Sequence, residues 1–338
     1  MTEATPSCSQ FQHHHAAHCE SGVASALLTN AGMPISEAMA FGLSSALTFA
    51  HLPYPRVNGF PLTSYRLPPG MVIGRLCRRL GVRMRRERFR NADAGMRALD
   101  EYLDAGRPVG LQTSVYWLPY FPPDMRFHFN AHNLVVFGRE GDDYLISDPV
   151  FEEVQHCPAA DLRRARSVKG LFAPRNLIYY PRTIRKDPDW TRMIRASLRA
   201  SCNMMLRTPV PLIGVRGIHR LARKLRKLPG RQDPRWARMY VAQIIRMQEE
   251  IGTGGGGFRF MYAAFLEEAA ERLGGHEALL EAADSITRAG DGWRDFAAAG
   301  ALLVQDRSGV DYPDLADRLE HCAELESEAF TLLDRSFR

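Results

Sequence analysis

Apolar residues recur at helical spacing after a polar opening of about 22 residues, alternate in short runs through the middle of the chain, and return to helical spacing for nearly all of the second half. Residues 1–22 are polar and read as extended. Residues 23–30 and 35–50 read as helices, separated by Asn30-Ala-Gly-Met-Pro34. Leu52 to Gly70 is rich in Pro and Gly and reads as loop or short extended pieces. Residues 71–81 predict a helix, 82–90 a strand, and 92–105 a helix burying Met96, Leu99 and Leu103 on one face. Val109 to Trp117 reads as a strand with Gln112, Ser114 and Tyr116 on one side. His132–Gly138 and Tyr144–Ser147 read as a strand pair around the polar turn Arg139–Asp143, and Arg175–Tyr180 as a further strand. Helices followed by antiparallel strands make an α+β pattern. Beyond about Thr183 the expected helices are 189–206, 214–227, 234–250, 258–273, 276–289, 292–305 and 313–335. Two domains follow, 1–185 and an all-α 186–338.

Composition narrows the class. No run of about 18 apolar residues is present, so no membrane span is expected. The opening residues lack a basic stretch before an apolar core, so a cytoplasmic protein is expected. The six cysteines include no Cys-x-x-Cys pair, which argues against a zinc ribbon or a disulfide framework. Net charge is +6 and uneven: 182–238 carries 16 Lys/Arg against 3 Asp/Glu, and 239–338 carries 9 against 19. The basic segment suits an acidic carrier protein, a phosphate-bearing cofactor or the acidic helices that follow. Nucleic acid is the lesser alternative.

Chemistry concentrates around His13-His-His-Ala-Ala-His-Cys-Glu-Ser-Gly22. Cys19 stands where a helix begins, near unpaired backbone N–H groups and the positive end of the helix dipole, which favour thiolate. Most free cysteines are simply small core residues. A nucleophile also needs a base and a group to orient that base. His132 heads one strand of the hairpin and Asp148 ends the other, so the antiparallel pairing makes them neighbours. Separately, His132 reads as a strand-edge polar residue and Asp148 as a turn former before Pro149; together, behind an early cysteine, they read as a triad. His128 is the competing base. His13, His14, His15 and His18 with Cys19 offer metal-ligand chemistry, but adjacent residues in an extended segment face opposite ways, so no metal site is assigned.

The segments His18-Cys-Glu-Ser21, Trp117-Leu-Pro-Tyr120, His132-Asn-Leu-Val-Val-Phe-Gly138 and Ile146-Ser-Asp-Pro149 resemble the papain-like fold, most closely the N-terminal domain of the butirosin biosynthesis protein H family. Glu250 to Leu266 is similar to the helical domain that follows in that family. The resemblance implies acyl transfer from a phosphopantetheine thioester on a carrier protein, or from coenzyme A, to a small-molecule amine in specialised metabolism. Cys19 would carry the acyl group, His132 would move protons and Asp148 would hold His132. An acidic carrier protein would meet the basic 182–238 segment. A cysteine peptidase or amide-forming cyclase would use the same triad. Papain-like enzymes place a Gln about six residues before the cysteine; that position is His13 here, and Gln12 adjoins it. Gln12 is the first oxyanion candidate, followed by His13, the Cys19 N–H and Gln112.

Gly252-Thr-Gly-Gly-Gly-Gly257 precedes a helix and has the composition of a phosphate cradle. Gly254, Gly255 and Gly256, with Arg259, are its expected ligands for a pantetheine or coenzyme A phosphate. A joint between two helices is the plainer reading.

Overall fold

The computed structural model describes residues 1–3, 7–230, 232–251, 254–307 and 309–338. In chain order its elements are β1 (Thr2–Glu3), α1 (Cys19–Asn30), α2 (Glu37–Leu43), β2 (Leu47–Val57), β3 (Phe60–Arg66), α3 (Met71–Leu80), β4 (Arg83–Glu87), α4 (Ala92–Asp104), β5 (Val109–Thr113), β6 (His132–Glu140), β7 (Asp143–Ser147), β8 (Gln155–Pro158), α5 (Ala159–Ser167), β9 (Ile178–Ile184), α6 (Trp190–Cys202), α7 (Gly214–Arg226), α8 (Pro234–Glu249), α9 (Arg259–Arg272), α10 (Glu277–Val304) and α11 (Tyr312–Phe337). They fall into two compact units: Met1–Ala40 with Pro68–Pro188, and Phe41–Leu67 with Asp189–Arg338. Residues 41–67 thus group with the helical half, although they precede most of the first unit in the chain.

The first unit is mixed α/β. Its sheet runs β1-β9-β5-β6-β7-β8, with β4 also on β9, and every pairing is antiparallel. Val109 and Leu111 of β5 alternate inward with Leu134 and Val136 of β6, and bury Leu99 and Leu103 of α4 and Leu162 of α5. Helix α1 packs on β6, β5 and β9. The strand expected to reach Trp117 stops at Thr113, because the Ser114 N–H turns to the Ala165 carbonyl at 2.9 Å and a short 3-10 turn follows.

The second unit joins the β2–β3 hairpin to helices α6–α11. The Pro- and Gly-rich stretch, read as loop or short extended pieces, holds the end of β2 and all of β3, and Leu47, Phe49 and Tyr65 of this hairpin are buried. The expected break near residue 290 is also absent, and α10 is continuous. Gly290 is there for space rather than for a turn: a Cβ at that position would lie 2.8 Å from the Phe260 ring.

Candidate active site

Residues far apart in sequence define one cluster in the first unit. Helix α1 begins at Cys19 and is capped by the His18 side chain, which accepts from the Ser21 N–H. Glu37 of α2 accepts from the N–H groups of Ala17 and His18, at 2.9 and 2.8 Å, and from the Ser21 hydroxyl at 3.0 Å. These bonds fix the turn that presents the cysteine. Burial pushes the Glu37 carboxyl up, and the same donors oppose the shift. The Glu20 carboxylate reaches the start of α3, accepting from the N–H groups of Gly70 and Ile73 at 3.0 Å each. It ties α1 to α3 just behind Cys19.

The other wall is the β6–β7 hairpin. His132 opens β6, and Asp148 follows the last residue of β7. The His132 Nε2 lies 2.6 Å from Asp148 Oδ2, and both side chains are buried. The Tyr120 hydroxyl donates to the same Oδ2 at 2.8 Å, and the Val150 N–H to Oδ1 at 3.3 Å. The Phe121 ring meets the imidazole edge-on at 5.5 Å. With Nε2 held by the carboxylate, Nδ1 is the ring nitrogen left for the thiol.

Burial works against a charged His132. The Asp148 carboxylate, by charge and hydrogen bond, and the Cys19 side chain, by hydrogen bond and charge, outweigh it and raise the pKa from 6.5 to about 10. Burial, then the Asp148 charge, holds Tyr120 far above the ordinary phenol value, so it remains an O–H donor. Burial alone pushes Cys8 up to about 11. It is also the leading cause that raises Cys77 to about 11, Cys157 and Cys202 to about 12, and Cys322 further. Those five thiols are therefore protonated near neutrality.

Close packing joins the two walls. The Ala16 N–H donates to the Pro149 carbonyl at 2.6 Å. A Cβ on Gly22 would lie 2.7 Å from the Ala16 Cβ and 2.8 Å from the Pro149 Cβ. Only glycine lets α1 approach the residue after Asp148 so closely. Gly22 and Tyr120 both lie within the sequence segments quoted above, but without the fold neither has an assigned part.

Of the remaining candidates, Gln12 is exposed. His13 binds the Ser147 hydroxyl through Nδ1 at 2.7 Å, and its Nε2 meets the carbonyls of Phe151 and Glu152 at 3.1 and 3.2 Å. Gln112 donates to the carbonyls of Asn130 and Phe172, so its amide braces two loops. His128 is exposed and stacks on Tyr116 at 4.1 Å. Among the described residues no group of three or more His, Cys, Asp and Glu side chains is placed to hold a metal ion.

The glycine segment is in the second unit, and its first two residues, 252 and 253, lie outside the described residues. Gly254, Gly255 and Gly256 all have positive φ. Gly256 is buried and its N–H donates to Glu249, an acid rather than a phosphate. Arg259 is fully buried: Nε and Nη2 each bond Glu326 at 2.9 Å, and Nη1 donates to the Gly257 carbonyl at 2.7 Å. The Trp293 indole N–H donates to the same Glu326 at 2.7 Å. The expected phosphate ligand Arg259 is thus corrected to a core ion pair, because its donors are already engaged in the protein interior.

Two family models match the chain. Residues 18–149 match butirosin biosynthesis protein H, N-terminal, and residues 160–333 match a domain of unknown function, DUF4872. The second match takes in most of α5 and all of β9, which pairs with β4 and β5, so both matched regions contribute to the first unit's sheet. No curated protein matches the chain. A solved structure described as a C39-like peptidase from Bacillus anthracis is 14% identical and covers 55% of this chain and 100% of its own, with a TM-score of 0.36. That likeness is too distant to carry an argument.

Proposed function

We propose that this chain, which belongs to the family joining a butirosin biosynthesis protein H N-terminal region to DUF4872, is a papain-like cysteine acyltransferase that takes an acyl group from a thioester and gives it to an amine. The observation that carries this reading is the buried His132–Asp148 pair at 2.6 Å, set against the thiol that begins α1. Asp148, held by Tyr120, keeps the imidazole oriented and favours its protonated form.

In the first half-reaction the Cys19 proton passes to His132 and the thiolate attacks the thioester carbonyl. The carbon–sulfur bond to the donor breaks. The departing thiol takes the proton back from His132, and acyl-Cys19 remains. In the second half-reaction the amine attacks that acyl carbon, neutral His132 accepts the amine proton, and the Cys19 sulfur leaves. One thioester and one amine become one amide and one thiol. Exchange between thioesters is nearly isoenergetic, so no stable amide need be broken to charge the enzyme. The oxyanion falls to the Cys19 N–H, since Glu37 already takes the N–H groups of the two residues before it.

A carrier-protein or coenzyme A thioester, a small-molecule amine acceptor, a place in antibiotic biosynthesis and a cytoplasmic setting complete the proposal. No helix among the described residues is long and apolar enough to cross a membrane. Incubation with an acyl-coenzyme A or an acyl-N-acetylcysteamine should add one acyl mass to the intact protein, and Cys19→Ala should abolish the adduct. Failure to acylate with any activated thioester, while Cys19 still reacts with iodoacetamide, would contradict it. Hydrolysis of a peptide without any thioester would favour the peptidase alternative.

A further inference from the structure

The second unit contains a cavity of about 570 Å³ with no part in the cysteine chemistry. One wall is the β2–β3 hairpin, through His51, Pro53 and Pro61; the other is α7 and the residues that follow it. Arg220, Arg223, Lys224 and Lys227 line it, spaced at three, four and seven residues from Arg220 so that they share one helix face.

Three other cations of the basic segment form ion pairs. Arg226 on the same helix pairs with Asp317 and Glu320, Arg207 with Asp334, and Arg238 with Asp306. Among the described residues the four lining cations have no recorded acidic partner. The Lys224 ammonium lies 4.4 Å from the centre of the Tyr240 ring. Burial, then the charges of Arg220 and Arg56, holds its pKa down. Neutral His51 forms the floor: its ring meets the Thr63 hydroxyl at 3.0 Å and the Tyr240 hydroxyl at 2.7 Å. Burial and Lys224 keep its pKa down at about 3, so it adds no charge. Like charges gathered on one face repel, and an anion between them removes that repulsion.

We propose that this cavity binds a small organic molecule bearing a phosphate ester or diphosphate, with the four cations on the phosphate oxygens and Pro53, Pro61 and Leu212 against the organic part. Its volume lies within the range of roughly 300–1,000 Å³ usual for small-molecule sites. The concave shape and apolar walls favour such a ligand over a polyanionic surface, which would meet a flat basic face. The inference stands whether or not Cys19 transfers acyl groups.

Isothermal titration of the full chain with inorganic pyrophosphate, adenosine 3′,5′-diphosphate and coenzyme A tests it. At least one of the three should bind with one-to-one stoichiometry. Arg220→Gln with Lys224→Gln should weaken binding by about tenfold or more, since charge-assisted hydrogen bonds are lost. Arg216→Gln, on the same helix but outside the cavity lining, should leave it unchanged. Tightest binding of coenzyme A identifies a pantetheine source for the phosphate; binding of pyrophosphate alone identifies free diphosphate. Saturating ligand should also shield Lys224 and Lys227 of the unaltered protein from amine acetylation, read by peptide mass, which tests the site without any variant. The proposal is overturned if none of the three binds at millimolar concentration. It is equally overturned if Arg216→Gln weakens binding as much as the cavity pair does. Binding confined to duplex DNA, or to an acidic protein without a phosphate group, would also overturn it and assign the face to a polymer partner.

Discussion

Two stretches of this chain announce chemistry in their residues, and they differ in what their polar atoms are left to do. Around Cys19, each auxiliary group leaves the reacting atoms available. Glu37 takes backbone donors, Glu20 caps a neighbouring helix, and Asp148 is satisfied by Tyr120 and Val150 while still holding His132. Around Gly254–Arg259 the polar atoms are engaged with one another, Arg259 with Glu326 and Gly257, and Glu326 with Trp293 as well. The difference is one of residual valence. A site keeps a donor, acceptor or charge unspent at its centre, whereas a structural network closes on itself.

Breaking each network separately sharpens that contrast. The largest effect is expected for His132→Ala, which should lower acyl transfer about 10²–10⁴-fold and also lower the urea midpoint, because Asp148 loses its buried partner. Arg259→Met should affect stability alone. It leaves Glu326 charged in the core without its ion-pair partner, costing about 3–5 kcal/mol in urea unfolding, with no change in Cys19 alkylation at temperatures where the protein stays folded. Pairing it with Glu326→Leu should restore much of that loss. Gly22→Ala is expected to cost about 1–3 kcal/mol and to slow alkylation, because the new Cβ forces α1 away from Pro149. A Gly22→Ala protein with parental alkylation rates would show that this close approach does not position the thiol. The smallest effect belongs to Tyr120→Phe, which removes one donor to Asp148 and should cost about 1.5 kcal/mol, seen as roughly tenfold slower transfer. Stability should also depend on pH through His132. Its folded pKa lies above the unfolded 6.5, so its contribution is complete below pH 6.5 and disappears as pH rises through about 10. His132→Gln should flatten that part of the urea-midpoint profile.

Much of this arrangement was legible in the sequence, and the exceptions have physical reasons. The hairpin joining His132 to Asp148 is a local element, and its period and turn composition locate it. Helices α3, α4, α7 and α8 follow from apolar spacing in the same way. Contacts between distant segments leave no such trace. Glu20 is one acid in a polar run until Gly70 and Ile73 lie beside it. Arg259 looks free until Glu326, far along the chain, closes on it. The β2–β3 hairpin hides beneath prolines that signal loop, because its burial comes from the helical unit with which it groups. Gly290 reads as a helix break although its role is to make room for Phe260.

The central claim is most directly tested by the rate of Cys19 alkylation with iodoacetamide between pH 5 and 9, followed by peptide mass for the parent, His132→Ala and Asp148→Asn. The account predicts that the parent is alkylated faster than His132→Ala at the acid end of that range, because the imidazole takes the thiol proton. It also predicts that Asp148→Asn falls between the two. A parent profile identical to that of His132→Ala would contradict it.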